Sequence, residues 1–270
     1  MIKKVWRLID SGDCDAPFNM ALDEAIAESV INNDKATTLR LYGWNKASLS
    51  LGAFQRFTDI DNEYCAKHDI PIVRRPTGGR AILHGKEVTY SFSSRNEGFF
   101  EKGLMDSYLI IANAFIKAFT HLDIAVDMKD KKTLGKELIK SPLCFNSVSI
   151  GEITYKGKKI IGSAQRRWQR GFLQQGSIPF IIDYQKSAGV FRQDLIDEFG
   201  EISKINKSIT IDHAKNAIVK GFEEVFGVSL QIESPSQQEL DRSQQLLQER
   251  HLQSLWVVKA DKKICKRSET

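Results

Sequence analysis

Residues Arg74 to Phe92 read RRPTGGRAILHGKEVTYSF, and this stretch constrains the fold more than any other. Ile70, Ile72 and Val73 make a short β-branched run, Pro76 and the Gly78-Gly79 pair force a turn, and Ala81-Ile82-Leu83 resumes an extended pattern. The spacing predicts strand, glycine loop, strand, with a further strand over Glu87 to Ser93. Adjacent glycines permit positive φ and let backbone N–H groups approach a ligand with no Cβ in the way. Such a loop can line an anion or carbonyl pocket, with Arg74, Arg75, Thr77, Gly78 and Gly79 as candidate binding residues. The same residues suit a tight β-turn with Arg74, Arg75 and Arg80 solvated outside it.

The flanking chain reads as mixed helix and strand. Val5 to Ile9 predicts a first strand and SGDCDAP a loop. From Asn19 onward Leu22, Ala25, Ile26 and Val30 share a helical face, with Asp23, Glu24 and Glu28 largely elsewhere. Thr38 to Trp44 and Ser48 to Phe54 predict two strands joined at Asn45, and Asp61 caps a short helix ending before Pro71. Gly103 to Leu122 is the clearest helix, with a stripe of Leu104, Tyr108, Ile111, Phe115, Phe119 and Leu122. A hairpin turning at Lys156-Gly157 and a long strand from Gly171 follow. Two late helices begin at Asp212, ending at Gly227, and at Ser236, whose partner Glu239 completes a capping box.

A chain of 270 residues with 41% hydrophobic and 27% charged residues can bury a large core. The expectation is one catalytic domain over residues 1–258 and a basic, flexible tail over 259–270. No apolar run has the length needed to cross a bilayer, and MIKKVWRLID lacks the apolar core of a secretory signal, so a cytoplasmic protein with no membrane partner is expected. Net charge is +5, yet acidic residues are mixed throughout, which argues against a nucleic-acid partner. The five lysines from Lys129 to Lys140 read either as a solvated loop or as a docking surface for an acidic protein. Cys14, Cys65, Cys144 and Cys265 show no metal-ligand spacing, so no metal is expected. There is no phosphate loop, dinucleotide fingerprint or serine nucleophile elbow, and no cofactor is expected.

Cys144 lies in KSPLCFNS, between the lysine-rich segment and GKKIIGSAQRR. Nearby positive charge favours a thiolate, which suits a nucleophile; a small buried hydrophobe beside Phe145 is the other reading. Lys159 precedes Ile160-Ile161 and the small residues Gly162, Ser163 and Ala164, where a second close backbone approach is possible. His84 is a further polar candidate, equally readable as a hydrogen-bonded structural residue.

Taken together, N19-M-A-L-D-E24, R74-R-P-T-G-G-R-A-I-L-H84 followed by E87-V-T-Y-S91, G157-K-K-I-I-G-S-A-Q165 and L173-Q-Q-G-S-I178 resemble the lipoate- and biotin-ligase superfamily over most of the chain. The resemblance implies an α+β fold, a mixed, mostly antiparallel sheet flanked by helices, with an acyl pocket under the Gly-Gly loop and Lys159 at the acyl carbonyl. Within the superfamily the chain looks most like the cysteine-dependent octanoyltransferases. That likeness implies Cys144 as nucleophile, octanoyl-acyl carrier protein as donor, and a lysine of a lipoyl-domain or glycine-cleavage H-type protein as acceptor. An ATP-dependent lipoate ligase, an amidotransferase between lipoyl-bearing proteins and a non-catalytic carrier-binding module are the alternatives. Two departures stand out: Gln175 where the family usually has His, and Gly85-Lys86 where an acidic residue is expected after His84.

Overall fold

A computed structural model describes residues 3–129, 151–193 and 199–253, together with 256 and 258. Cys144, Cys265, most of the lysine-rich segment and the tail 259–270 lie outside the described residues.

The chain opens with β1 (Lys4–Cys14), which runs through the stretch expected as a loop. A register shift between Asp10 and Asp13 absorbs the extra residues, with Gly12 at φ +62°. Helix α1 (Ala16–Ile31) starts earlier than expected because Asp15 caps it, its carboxylate accepting the Phe18 N–H. Next come β2 (Thr38–Trp44), β3 (Ser48–Leu51), α2 (Asn62–Lys67), β4 (Ile72–Arg74), β5 (Ile82–His84) and β6 (Lys86–Arg95). Asp61 caps α2 as expected. The chain changes sheets after Asn45: β2 and β6 join β1, whereas β3, β4 and β5 make a separate sheet in the order β4-β3-β5.

Helix α3 (Leu104–Thr120) buries Ile111, Phe115 and Phe119 as the stripe requires, but Leu104, at its first turn, is half exposed. Strands β7 (Asp127–Lys129), β8 (Glu152–Tyr155) and β9 (Lys158–Lys159) form a third sheet. The β8–β9 turn places Lys156 and Gly157 at φ +49° and +80°, the twist a two-residue hairpin needs. The chain continues through β10 (Gly162–Arg167), β11 (Gly171–Ile181), α4 (Tyr184–Phe191), α5 (Ile202–Ile205), α6 (Ile211–Phe226), β12 (Val228–Ile232) and α7 (Gln237–Leu246). Thr210, rather than Asp212, caps α6, because its hydroxyl accepts the His213 N–H and leaves Asp212 in the first turn. Gly227 and the Ser236–Glu239 box end and start their helices as expected.

The large sheet has the order β10-β11-β6-β2-β1-β12. It is antiparallel from β10 to β2 and parallel across β2, β1 and β12. Trp6, Leu39, Leu41, Tyr90, Phe92 and Phe172 face α3 and α6 in one aromatic-rich core. The opposite face carries α1, which packs Leu22, Ile26 and Val30 on Ile9, and Ala21 and Ala25 on Leu246 of α7. The expected α+β fold, a mixed sheet flanked by helices, is the one observed.

Segments far apart in sequence are tied across this sheet. Arg7 Nη1 and Nη2 donate to the two Glu239 oxygens at 2.8 and 2.9 Å, and its Nε donates to Glu233 at 3.0 Å. Arg7 and Glu239 are both buried, and burial is outweighed at Glu239 by Arg7 and the Ser236 cap, which hold its carboxyl below the usual range.

Candidate active site

The period of two along each strand decides which side chains meet α1. Register pairs Arg40 with Ser91, Ser91 with Gln175 and Gln175 with Ala164, so one row crosses four strands. The next row on the same face is Tyr42, Thr89, Ser177 and Gly162. The polar members of both rows are buried under α1 and the β4-β3-β5 sheet, and must be satisfied internally.

Asp23 of α1 is the hub of the first row. Its carboxylate accepts from Arg40 Nη1 at 2.7 Å, Tyr42 Oη at 2.7 Å, Ser91 Oγ at 2.6 Å and Gln175 Nε2 at 2.7 Å. Asn19, one turn earlier, accepts from Arg40 Nη2 and donates to the Gly43 carbonyl. The helical reading placed Asp23 and Glu24 away from the buried stripe; both are buried, because α7 and the small sheet cover α1 on the remaining sides. Gln175 faces two ways, since its Oε1 also accepts from Thr77 Oγ1 at 2.8 Å, which ties the glycine loop to the hub. Burial, reinforced by Asp23, pushes the Tyr42 phenol well above its ordinary value.

The second cluster joins the two sheets. His84 Nδ1 lies 2.8 Å from Glu87 Oε1, and His84 Nε2 lies 2.7 Å from Ser50 Oγ. Trp44 stacks on the imidazole at 3.9 Å and donates Nε1–H to Thr89, whose hydroxyl donates to Glu87. Burial pushes Glu87 up, yet His84, Thr89 and Ser177 together hold it below the usual carboxylate range. The acidic residue missing directly after His84 is thus supplied by Glu87.

Between the sheets runs a narrow slot whose accessible volume is about 20 Å³, room for roughly one water in its present shape. Met20, Tyr42, Trp44, Ile82 and Ala164 give it apolar walls; Ser50, His84 and Gln175 bring polar groups. Gly162 and Ala164, small residues of β10, open the floor. Gly176 borders it with backbone only; a Cβ there would project to the opposite face, 2.3 Å from the Tyr90 ring.

Of the residues singled out in the sequence, Arg75, His84, Gly162, Ser163 and Ala164 line this slot. Arg75 directs its guanidinium at backbone: Nη1 to Ser50 O, Nη2 to Gly78 O and Arg80 O, and Nε to Gly78 O. Arg74 likewise donates to Gly52 O and Gln55 O. Both arginines are buried and shape the loop from inside, in contrast to a turn with Arg74 and Arg75 solvated outside it. Thr77 is buried on Gln175 and on Ala53, whose N–H it accepts through its carbonyl. Gly79 takes φ +84° and packs against Gly52, where a Cβ would stand 1.8 Å from the Gly79 oxygen, while Gly78 borders open space. Lys159 sits on β9 with its ammonium on the buried Glu152, outside the slot lining, and the chain then buries both Ile160 and Ile161 before lining the slot with Gly162. Cys144 lies outside the described residues. The sequence reading missed Asp23, Arg40, Ser50 and Glu87; an arginine inside the apolar strand TLRLYGW was the signal for a buried carboxylate nearby.

Among the described residues no group of His, Cys, Asp or Glu could hold a metal, and no helix is long and apolar enough to cross a membrane.

The fold is that of the lipoate ligase class. The bipartite lipoate protein ligase of Thermoplasma acidophilum, described together with its E2 lipoyl domain, superposes with TM-score 0.78 at 18% identity, over 96% of this chain and 97% of that one. The family described as lipoyl protein ligase A/B catalytic domain matches residues 15–223. Octanoyltransferase LipM of Anoxybacillus flavithermus is 34% identical over 277 residues, covering 96% of this chain and 100% of that protein. Octanoyltransferase LipM of Bacillus subtilis is 33% identical over 280 residues, with the same coverage. This chain belongs to the lipoyl protein ligase A/B catalytic domain family.

Proposed function

We propose that this protein is an octanoyltransferase of lipoate biosynthesis. It takes octanoyl from octanoyl-acyl carrier protein, holds it as a thioester on Cys144, and passes it to a lysine of a lipoyl-domain or glycine-cleavage H-type protein. The observation that carries the reading is near full-length likeness to proteins named octanoyltransferase LipM. Burying six or seven methylenes is worth on the order of 5 kcal/mol, enough to favour an acyl chain that parts the apolar walls of the narrow slot.

In the first step the Cys144 thiolate attacks the thioester carbonyl, a new C–S bond forms, the bond to the carrier's sulfur breaks, and the released thiolate takes up a proton. In the second, the acceptor amine attacks, an N–C bond forms, the bond to Cys144 breaks, and the proton lost by the amine balances the one taken up by the departing sulfur. Lys159 is assigned to the negative charge on thiolate or carbonyl oxygen. Cys14 and Cys65 are poorly suited to the first step: burial raises both thiols, Cys65 to about 11.

The test is intact-mass analysis after mixing the protein with octanoyl-acyl carrier protein, without ATP. An octanoyl adduct that disappears in Cys144→Ala, and that is chased onto the acceptor, is the expected result. Modification of the acceptor only by free octanoate or lipoate with Mg-ATP, undiminished in Cys144→Ala, would make the protein a ligase.

A further inference from the structure

We propose that Ser50, His84 and Glu87 form a proton relay for the second half-reaction, in which an amine takes the acyl group; this rests on the acyl-transfer reading above. Arg75 Nη1 can only donate, and it reaches Ser50 Oγ at 3.0 Å; the Ser50 hydroxyl can then donate to His84 Nε2, 2.7 Å away, when that nitrogen is unprotonated. His84 Nδ1 faces a Glu87 oxygen at 2.8 Å and carries the ring proton toward it. With its ring proton on Nδ1 the imidazole offers Nε2 as acceptor and is backed by a carboxylate, the arrangement a general base requires. The ring is clamped by Trp44, stacked at 3.9 Å and 14°, and Thr89 links Trp44 to Glu87. The charged groups that bear on it are Glu87 from β6 directly and Arg75, at the end of β4, through Ser50.

Ser50 and His84 both line the slot, as do Gly162 and Ala164 of β10. The chemistry needs a proton acceptor. When a free amine adds to the thioester carbonyl, its nitrogen becomes positively charged and must lose a proton as the C–S bond breaks. Ser50 takes that proton while passing its own to His84 Nε2. The imidazolium, stabilised by Glu87, returns a proton through Ser50 to the departing sulfur, so the relay ends as it began. A His–Glu pair that merely tied β5 to β6 would leave no mark on the pH dependence of transfer.

The experiment isolates the second half-reaction. Protein is first loaded from octanoyl-acyl carrier protein and its adduct confirmed by mass; single-turnover transfer to a lipoyl-domain acceptor is then timed from about pH 5.5 to 9, a range that brackets the imidazole. For the unaltered protein log rate should rise with slope two below the imidazole pKa, where both base and amine are being deprotonated, and with slope one above it. His84→Gln and Ser50→Ala should each slow transfer by about a hundredfold or more and leave slope one throughout. Glu87→Gln should move the bend to lower pH, because loss of the carboxylate disfavours imidazolium. If melting curves show His84→Gln unfolded, Ser50→Ala, which removes one hydroxyl and keeps the ring, carries the test alone. Transfer by Ser50→Ala at the unaltered rate with the bend retained would overturn the relay while the adduct upheld the acyl-transfer reading. Failure of the unaltered protein to form an adduct would instead overturn that reading.

Discussion

Replacing Asp23 by asparagine separates the hydrogen bonds of the hub from its charge. The four donors on Asp23 can adapt in part: the oxygen of the new amide can still accept from Arg40 and Ser91, Tyr42 can turn its hydroxyl to accept from the amide nitrogen, and Gln175 can flip so that Thr77 accepts instead of donating. The Arg40 charge cannot adapt. Its side chain is fully buried, it cannot lose its proton, and its remaining partners, Asn19 and Ser11, are neutral. Breaking a buried pair by removing one partner typically costs about 3–5 kcal/mol, because the other charge is left uncompensated. Urea unfolding of Asp23→Asn should therefore show a loss of about that size, and Arg40→Met a similar one. The double variant should cost much less than the two losses summed, since neither charge is then stranded. A loss below about 1 kcal/mol for Asp23→Asn, or simple additivity in the double variant, would refute the account of Asp23 as the counter-charge of Arg40.

Two other outcomes follow from the large sheet and the groups packed on it. Gly176→Ala should overpack the sheet face turned toward α3, because Tyr90 is held by Ser163 and Gln174 and cannot retreat; a stability loss of about 1–3 kcal/mol is expected, read by urea titration. Glu87 and Glu239 are held below their ordinary values in the folded chain, so the unfolded chain binds protons first as pH falls. Their stabilisation is complete at neutral pH and is lost on descending from about pH 4.3 through the folded-state values, and melting temperatures between about pH 3 and 7 should show Glu239→Gln with a shallower acid limb.

What the sequence made legible was local. The Gly78-Gly79 turn, the Asp61 and Ser236 caps and the Lys156-Gly157 hairpin follow from backbone chemistry within a few residues, and they formed as read. The site itself is written at a separation of one strand spacing, not one turn. Arg40, Ser91 and Gln175 are adjacent through register alone, and polar residues alternating along a strand signal a solvated face unless the covering layer is known. The same gap explains α1, where Asp23 and Glu24 look solvent-facing until α7 and the β4-β3-β5 sheet are placed over them. His84 lost its expected acidic neighbour but gained Glu87, because a single residue, Gly85, separates β5 of the small sheet from β6 of the large one. Gln175, out of pattern for the family, is chemically at home: an amide can donate to a carboxylate and accept from a hydroxyl at once.

The tie between Arg7 and Glu239 has a consequence for synthesis on the ribosome. Strand β1 is flanked by β2 and β12, and the Arg7 guanidinium is neutralised by residues that emerge more than two hundred positions later. At roughly 5–20 residues per second the nascent chain waits about 10–50 s with one edge of β1 open and Arg7 without its carboxylates. The large sheet and the Arg7 tie are then completed only when β12 and α7 leave the exit tunnel, so a transcript truncated before Glu239 should yield a polypeptide recognised by chaperones as unfinished, however intact the slot-forming segments are.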